Sequence, residues 1–452
     1  MNKMVDVRGL DHVAANRWHV TVASRAELAR CTRWRQAFAR ERKDARHFEL
    51  VEETIAGFDY RYFVIADASG KVHAVQPFFI VDQDLLEATN ETVRRLAAQL
   101  RRAWPRFMCM RILMLGSPAG EGHLDRHDSQ HARLLAAAAV DEARRLGIGL
   151  VALKEFPARY RACLRCFMQA GYARLPSFPM TRLNIDYEDF EAYMVKALSR
   201  RTRRDFRLKF KRAEAGPPIS QTIVSDVTPV IDDIFPLYLQ VYHRSPHHFE
   251  KLSKDYLCRL GRLMPDKVRF FLWRRAGRIV AFTVCMMQGD EFFAEYIGLD
   301  YTVALDLHLY HYAVRDMITW AMANGYKWFC SSGLNYDPKF HLRCVLDPID
   351  LYVRHTSRLA NFGLRWLLPW LNPVYRDDTL KRFPNYRELW ASPWEVAPAS
   401  AAPTPAGASA APSGASPWLS PLRTGKKIGL YGGSHGDQIR APDRAESPTR
   451  PG

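Results

Sequence analysis

From Val268 to Asp300 the chain reads VRFFLWRRAGRIVAFTVCMMQGDEFFAEYIGLD. Aromatic and β-branched residues dominate three short runs, 268–274, 278–288 and 291–298, separated by Ala276-Gly277 and Gly289-Asp290. Such runs broken by glycine turns predict an antiparallel meander. The third run passes through Gly298-Leu299-Asp300 into a loop. Asp306 is then placed to cap a helix on which Leu307, Tyr310, Val314, Met317 and Ala321 share one face. A strand feeding a helix N-terminus presents unpaired N–H groups and the positive end of a dipole, where phosphates bind.

The same pattern recurs upstream. Residues 61–66, a turn at Gly70-Lys71 and residues 72–81 match 269–274, the turn at Gly277-Arg278 and 279–287. An amphipathic helix over 130–146 ends at Gly147 before the strand Ile148–Leu153, as a helix over 306–324 ends at Gly325 before Tyr326–Cys330. A hairpin followed by helix and strand in both halves predicts two copies of one α/β unit, joined near 186–220.

The chain has 452 residues, of which 48% are hydrophobic and 25% charged, enough to fold without disulfides or metals. Its eight cysteines are scattered, several in apolar runs, which predicts a reducing, cytoplasmic compartment. Charged residues fill the first thirty positions, leaving no room for the apolar core of a signal peptide. Phe362 to Leu371 reads as a buried helix, with a helix lying on a membrane as the other reading. From Ala397 the sequence becomes aperiodic Ala, Pro, Ser and Gly, so 393–452 is expected to be a disordered tail, and Gly432 to Gly436 within it lack the strand and helix of a phosphate loop. A formal net charge of +17 favours polyanionic partners. The densest basic run, 196–212, predicts an amphipathic helix anchored by Phe206 and Phe210, its outer face suited to nucleic acid such as tRNA or to an anionic membrane surface, so that a non-catalytic polyanion-binding module is an alternative to an enzyme.

The runs Gly277 to Phe282, Tyr296 to Asp300, Leu307 to Tyr310, Gly325 to Lys327 and Gly333 to Lys339 resemble the FemAB-like branch of the GNAT acyltransferase superfamily over about 190–355. Leu198 to Asp205 looks like that branch's entry into its second domain, and Cys163 to Tyr172 extends the resemblance weakly over 60–185. The resemblance implies tandem GNAT-like domains, 1–185 and 186–392, each a mixed, mostly antiparallel sheet with flanking helices. It also implies transfer of an acyl or aminoacyl group to an amine. Acyl-CoA is the expected donor and charged tRNA the alternative, because Asp300 to Leu305 departs from the usual Gln or Arg, x, x, Gly, x, Gly or Ala pyrophosphate loop.

Acyl transfer to an amine needs a base, oxyanion donors and an acid for the leaving group. Glu295, an acid among aromatics, is the candidate base, unless it faces solvent on the other side of the strand or pairs with an arginine. Tyr310 is the candidate proton donor, unless it belongs to the core. Gly298, Thr302, Ala304 and Leu305 are expected at the donor, with backbone amides near 302–307 as the phosphate cradle. The resemblance maps Lys339 onto the family's recurrent lysine, where it would contact an anion. His308, Asn335 and Asp337 are expected to face substrate, His308 heading a polar stripe with His311 and Arg315. No metal is expected: Pro246 interrupts His243, His247 and His248, and Cys163 and Cys166 form a single pair in a helix.

Overall fold

The computed structural model describes residues 18–84, 91–105, 107, 109–245 and 249–392. The tail expected over 393–452, with Gly432 to Gly436, and His247 and His248 lie outside them. The strands are β1 (Trp18–Ala23), β2 (Asp59–Asp67), β3 (Val72–Asp84), β4 (Cys109–Leu115), β5 (Leu150–Pro157), β6 (Ala173–Pro176), β7 (Met180–Asn184), β8 (Ile219–Val224), β9 (Val268–Arg275), β10 (Arg278–Gln288), β11 (Glu291–Leu299), β12 (Trp328–Ser331), β13 (Val345–Asp347) and β14 (Ile349–His355). The helices are α1 (Arg25–Leu28), α2 (Thr32–Gln36), α3 (Ala45–Thr54), α4 (Glu91–Ala103), α5 (Ser129–Arg145), α6 (Arg161–Gln169), α7 (Phe190–Ala197), α8 (Arg200–Ala213), α9 (Ile231–Arg244), α10 (Lys254–Leu263), α11 (Leu309–Ala323), α12 (Tyr336–His341) and α13 (Arg358–Leu371).

Two seven-stranded sheets result, in the orders β1-β2-β3-β4-β5-β14-β6 and β13-β7-β12-β11-β10-β9-β8. Each is antiparallel except at one internal pair, β4 with β5 and β11 with β12. Both sheets are mixed and mostly antiparallel, as expected. The meander over 268–299 forms as its turns dictate: Ala276 and Gly277 both take positive φ, 47° and 80°, the geometry of a two-residue hairpin turn that matches strand twist.

Alternation along the strands sets the layers. Phe271, Trp273 and Phe292 face α7, α8 and α11, while Phe270, Leu272, Phe282 and Val284 face α9 and α10. The chain crosses between sheets twice. β7 pairs with β12 in the second sheet, and β14 inserts between β5 and β6 of the first. The division expected at 185/186 therefore runs through a strand exchange.

Two expectations are corrected. Asp306 does not cap the helix that follows: residues 301–308 form turns, and His308, at φ 47°, occupies the N-cap before Leu309. The helix over 362–371 is not buried on both sides. Leu364 and Leu368 pack on the first sheet, but Phe362, Trp366 and Trp370 are exposed.

Candidate functional site

The site begins where the parallel pair of the second sheet comes apart. β11 and β12 pair from Glu291↔Trp328 to Ala294↔Ser331 and no further. At that point β11 also carries an extra residue: Tyr296 faces Val284 and Ala294 faces Cys285, so Glu295 is the bulged residue between them. A bulge re-aims a side chain and ends pairing, and such bulges are common beside active sites. Among the described residues no backbone bonds to the open edge of β11 from Tyr296 to Leu299.

The first sheet has the same splay, filled. β4 and β5 pair up to Leu115↔Leu153. The loop after β4 then turns back against β5, with Gly122 N donating to Glu155 O at 3.1 Å and Lys154 Nζ to Gly120 O at 2.8 Å. A Cβ on Gly122 would lie 2.5 Å from the Phe156 ring, so glycine lets the loop sit in the gap.

Between the two splays lies a buried charged seam. Asp44 caps α3, accepting from Arg46 N at 3.1 Å, and the turn before it delivers Arg42 and Lys43 inward. Arg42 Nε lies 2.7 Å from Glu295 Oε1 and its Nη2 2.5 Å from Glu121 Oε1. Lys43 Nζ meets Glu121 at 3.0 Å and Glu295 at 3.2 Å. The Arg42 guanidinium also stacks 3.6 Å above the Phe293 ring. Burial opposes charge on Arg42 and Glu121, but the two carboxylates hold Arg42 well above its ordinary pKa, and Arg42 and Lys43 hold Glu121 well below the carboxylate range. Glu295 is therefore not a free base. It is committed to two cations, the pairing with arginine that the sequence left as the alternative.

A second acid stands beside the bulge. Glu250 accepts from the Tyr296 hydroxyl at 2.9 Å, one position beyond the bulge. Burial pushes the Glu250 carboxyl above its usual value, and Lys154 together with the Tyr296 hydrogen bond reverses only part of that. Lys154 comes from β5, lies 4.9 Å from the Phe249 ring centroid and pairs with Glu155 at 2.7 Å, so both halves contribute to this corner. No sequence motif marks Glu250, which follows Pro246-His247-His248-Phe249.

The expected donor loop is closed on itself. Thr302 N and Oγ1 both donate to Asp300 Oδ1, at 3.0 and 2.6 Å, and Val303, Ala304, Leu307, His308 and Leu309 donate to backbone carbonyls within 300–305. Thr302 and Ala304 therefore offer no free amide to a phosphate. Leu305 is exposed at the tip of the loop. At Gly298 a Cβ would lie 2.2 Å from the Phe282 ring and 2.8 Å from Tyr238 N, so glycine lets β11 pass under α9.

Side chains supply the positive charge instead. Lys209 Nζ lies 3.3 Å from His311 Nε2 and Arg212 Nη1 3.4 Å from His308 Nε2, bringing the basic face of α8 to the first turn of α11. Burial first, and the cations beside them second, lower both imidazoles, His311 to about 4. Tyr310, on the same turn, packs against the core, and burial raises its phenol, making it a weaker acid than free tyrosine.

Lys339 is not an anion contact. It is buried, and Nζ donates to the carbonyls of Ser332 and, at 2.8 Å, Leu334, holding a turn in which Leu334 and Asn335 both have positive φ. Burial lowers its pKa to about 8. Asn335 is the N-cap of α12, and Asp337 pairs with Arg382 at 2.8 Å, tying α12 to the segment that follows α13. Among the described residues no cluster of three His, Cys, Asp or Glu side chains is placed to ligate a metal.

Residues 200–339 match the family described as acetyltransferase (GNAT) domain. The splayed parallel pair lies within that match, so the second half carries a GNAT domain and the enzyme class is acyltransferase. No curated protein matches the sequence. Similar solved structures include L-PGS from Bacillus licheniformis, at 14% identity, 72% of this chain, 94% of that chain and a TM-score of 0.44. FemX follows at 11%, 68%, 90% and 0.44, and a tandem GNAT protein from the clavulanic acid biosynthesis pathway at 10%, 67%, 85% and 0.36.

Proposed function

We propose that the protein transfers an acyl group from a phosphorylated carrier to an amine at the splay between β11 and β12. The observation that supports this most directly is the bulge at Glu295, which opens the edge of β11 beside the Glu250 carboxyl and the Tyr296 hydroxyl. Glu250 takes the proton from the acceptor ammonium. The freed nitrogen attacks the carbonyl carbon, N–H groups on the open edge of β11 stabilise the oxyanion, and the carrier leaves as the C–N bond forms and its own bond to the acyl carbon breaks. The first half, its own splay filled by the loop at Gly122, serves as support and acceptor wall through Lys154. The division into 1–185 and 186–392 stands as our proposal for the two domains.

Acyl-CoA is the carrier in the first reading, as for the matched domain family. A second reading, aminoacyl-tRNA, is favoured by the closed amides of 302–304 and by the basic face of α8 that meets His308 and His311. All eight cysteines are free thiols, which supports a cytoplasmic setting. The test is thermal stabilisation of the full chain by an acyl-CoA panel and by charged and uncharged tRNA. Stabilisation by a thioester supports the first reading. Salt-sensitive stabilisation by charged tRNA, lost in Lys209→Ala/Arg212→Ala, supports the second. Stabilisation by neither overturns both.

A further inference from the structure

The first sheet carries two helices with apolar outward faces. α13 lies on β14 and β6, fixed by Asn361 Nδ2 donating to Gly171 O at 2.9 Å and, just beyond the helix, Asn372 Nδ2 to Pro176 O at 2.8 Å. At about 100° per residue, Leu359, Phe362, Trp366 and Trp370 form one stripe on the side away from Leu364 and Leu368. They are 88, 68, 68 and 75% exposed. Arg358 and Arg365 border that stripe, and the helix contains no Asp or Glu.

α4 repeats the arrangement. Of the α4 side chains from Arg95 on, Ala97 is buried, while Leu96, Leu100 and, just past the helix, Trp104 are exposed, as is Arg102 on the same helix. Both helices meet the same end of the sheet. α4 leads into the start of β4, and α13 follows the end of β14, where His355 pairs with Leu150 at the start of β5. Met110 and His355 both crowd Gly149 there, at 3.6 and 3.1 Å from its Cβ position.

We infer that α13 and α4 dock the protein on an anionic lipid bilayer. Tryptophan, phenylalanine and leucine on an outward stripe suit the boundary between headgroups and acyl chains, and arginines beside them reach lipid phosphates. Charge decides against a second copy of this chain as the occupant. A two-fold contact through α13 brings its own Arg358 and Arg365 rows together with no acid on the helix to offset them. The chain's net charge of +17 points the same way. No helix among the described residues is long and apolar enough to cross a membrane.

The experiment is flotation of the full chain with vesicles of phosphatidylcholine alone and of phosphatidylcholine with phosphatidylglycerol. Binding to the anionic vesicles is expected to be at least about tenfold tighter and to weaken with salt. Trp366→Glu/Trp370→Glu is expected to lower it by about tenfold or more, and Leu96→Glu/Leu100→Glu to lower it in the same direction, with the melting transition of each variant unchanged because these positions are exposed. Absence of vesicle binding overturns the inference, as does equal binding to both vesicles or full binding by the tryptophan variant. Self-association that Trp366→Glu abolishes, without vesicle binding, overturns it in favour of a second copy.

Discussion

Arg42 Nε donates to Glu295 Oε1 at 2.7 Å, joining the turn before α3 to the bulge of β11 across the seam between the two sheets. With Lys43 and Glu121 the pair forms a buried set of two cations and two anions, each within reach of both opposite charges. Such a set adds little net stability when whole, but removing one member strands the others without solvent. Glu295→Gln is therefore expected to cost about 3 kcal/mol of folding stability, read as a lower urea midpoint at pH 7. Under conditions where the variant is folded, it is expected to keep most of its kcat. A loss of kcat of about 10²-fold or more without a shift in the midpoint would return Glu295 to the role of base.

Glu250→Gln is expected to give the opposite pattern. Removing the base lowers kcat by about 10²–10⁴ and abolishes the acid limb of the pH–rate profile. The Glu250 carboxyl is raised above 4.5 by burial, so the native state binds its proton more tightly than the unfolded chain does. The carboxylate therefore costs stability, a cost that appears as pH rises from 4.5 through the raised folded value. The glutamine variant is expected to melt higher than the wild type at pH 7 and no higher below pH 4. A melting temperature that falls at pH 7 would place Glu250 in the structural network instead.

What the sequence made legible was local. The meander of β9 to β11, the repeat of hairpin, helix and strand, and the basic helix anchored by Phe206 and Phe210 all follow from alternation, turn glycines and helical spacing. The charged seam was not legible. Arg40 to Asp44 reads as a solvated charge run, and nothing local shows that Arg42 and Lys43 turn inward to meet partners about 80 and 250 residues away. Thr302 and Ala304 failed for a related reason. Asp300 was read as the end of a strand, but its side chain and carbonyl take the very N–H groups that the loop was expected to offer. The outward stripe of α13 misled because apolar residues on both faces of a helix read as burial.

Lys339 makes a prediction whose sign is set by burial. Its pKa falls from 10.5 to about 8, so between these values the unfolded chain binds the proton that the native chain has released. Stability therefore gains from this group as pH rises from about 8 to 10.5, and below pH 8 the buried ammonium carries its full cost. Lys339→Met removes this pH dependence. It also removes donors to the carbonyls of Ser332 and Leu334, at a cost of about 1–3 kcal/mol at pH 9 and above. Denaturant midpoints at pH 7.5 and 10 check both statements: the wild type gains on the variant between them. Parallel curves would show that Nζ stays charged throughout.

The two splays differ by what glycine permits, and substitution tests that directly. Gly122→Ala places a methyl 2.5 Å from the Phe156 ring and 2.6 Å from Lys154 O, and the backbone carbonyl cannot rotate away. The loop must leave the gap in the first sheet, at a cost of about 1–3 kcal/mol. Because Glu121 travels with that loop, Arg42 and Lys43 lose one of their two anions as well. Gly298→Ala drives its methyl into Phe282 and the backbone of α9 and is expected to cost a similar amount. The difference lies in donor affinity. A methyl on Gly298 points at Phe282 and α9, so the folded fraction of Gly298→Ala is expected to bind the donor with wild-type affinity in calorimetry. A donor affinity lost in proportion to no change in stability would show instead that the chain passes close to the carrier at Gly298.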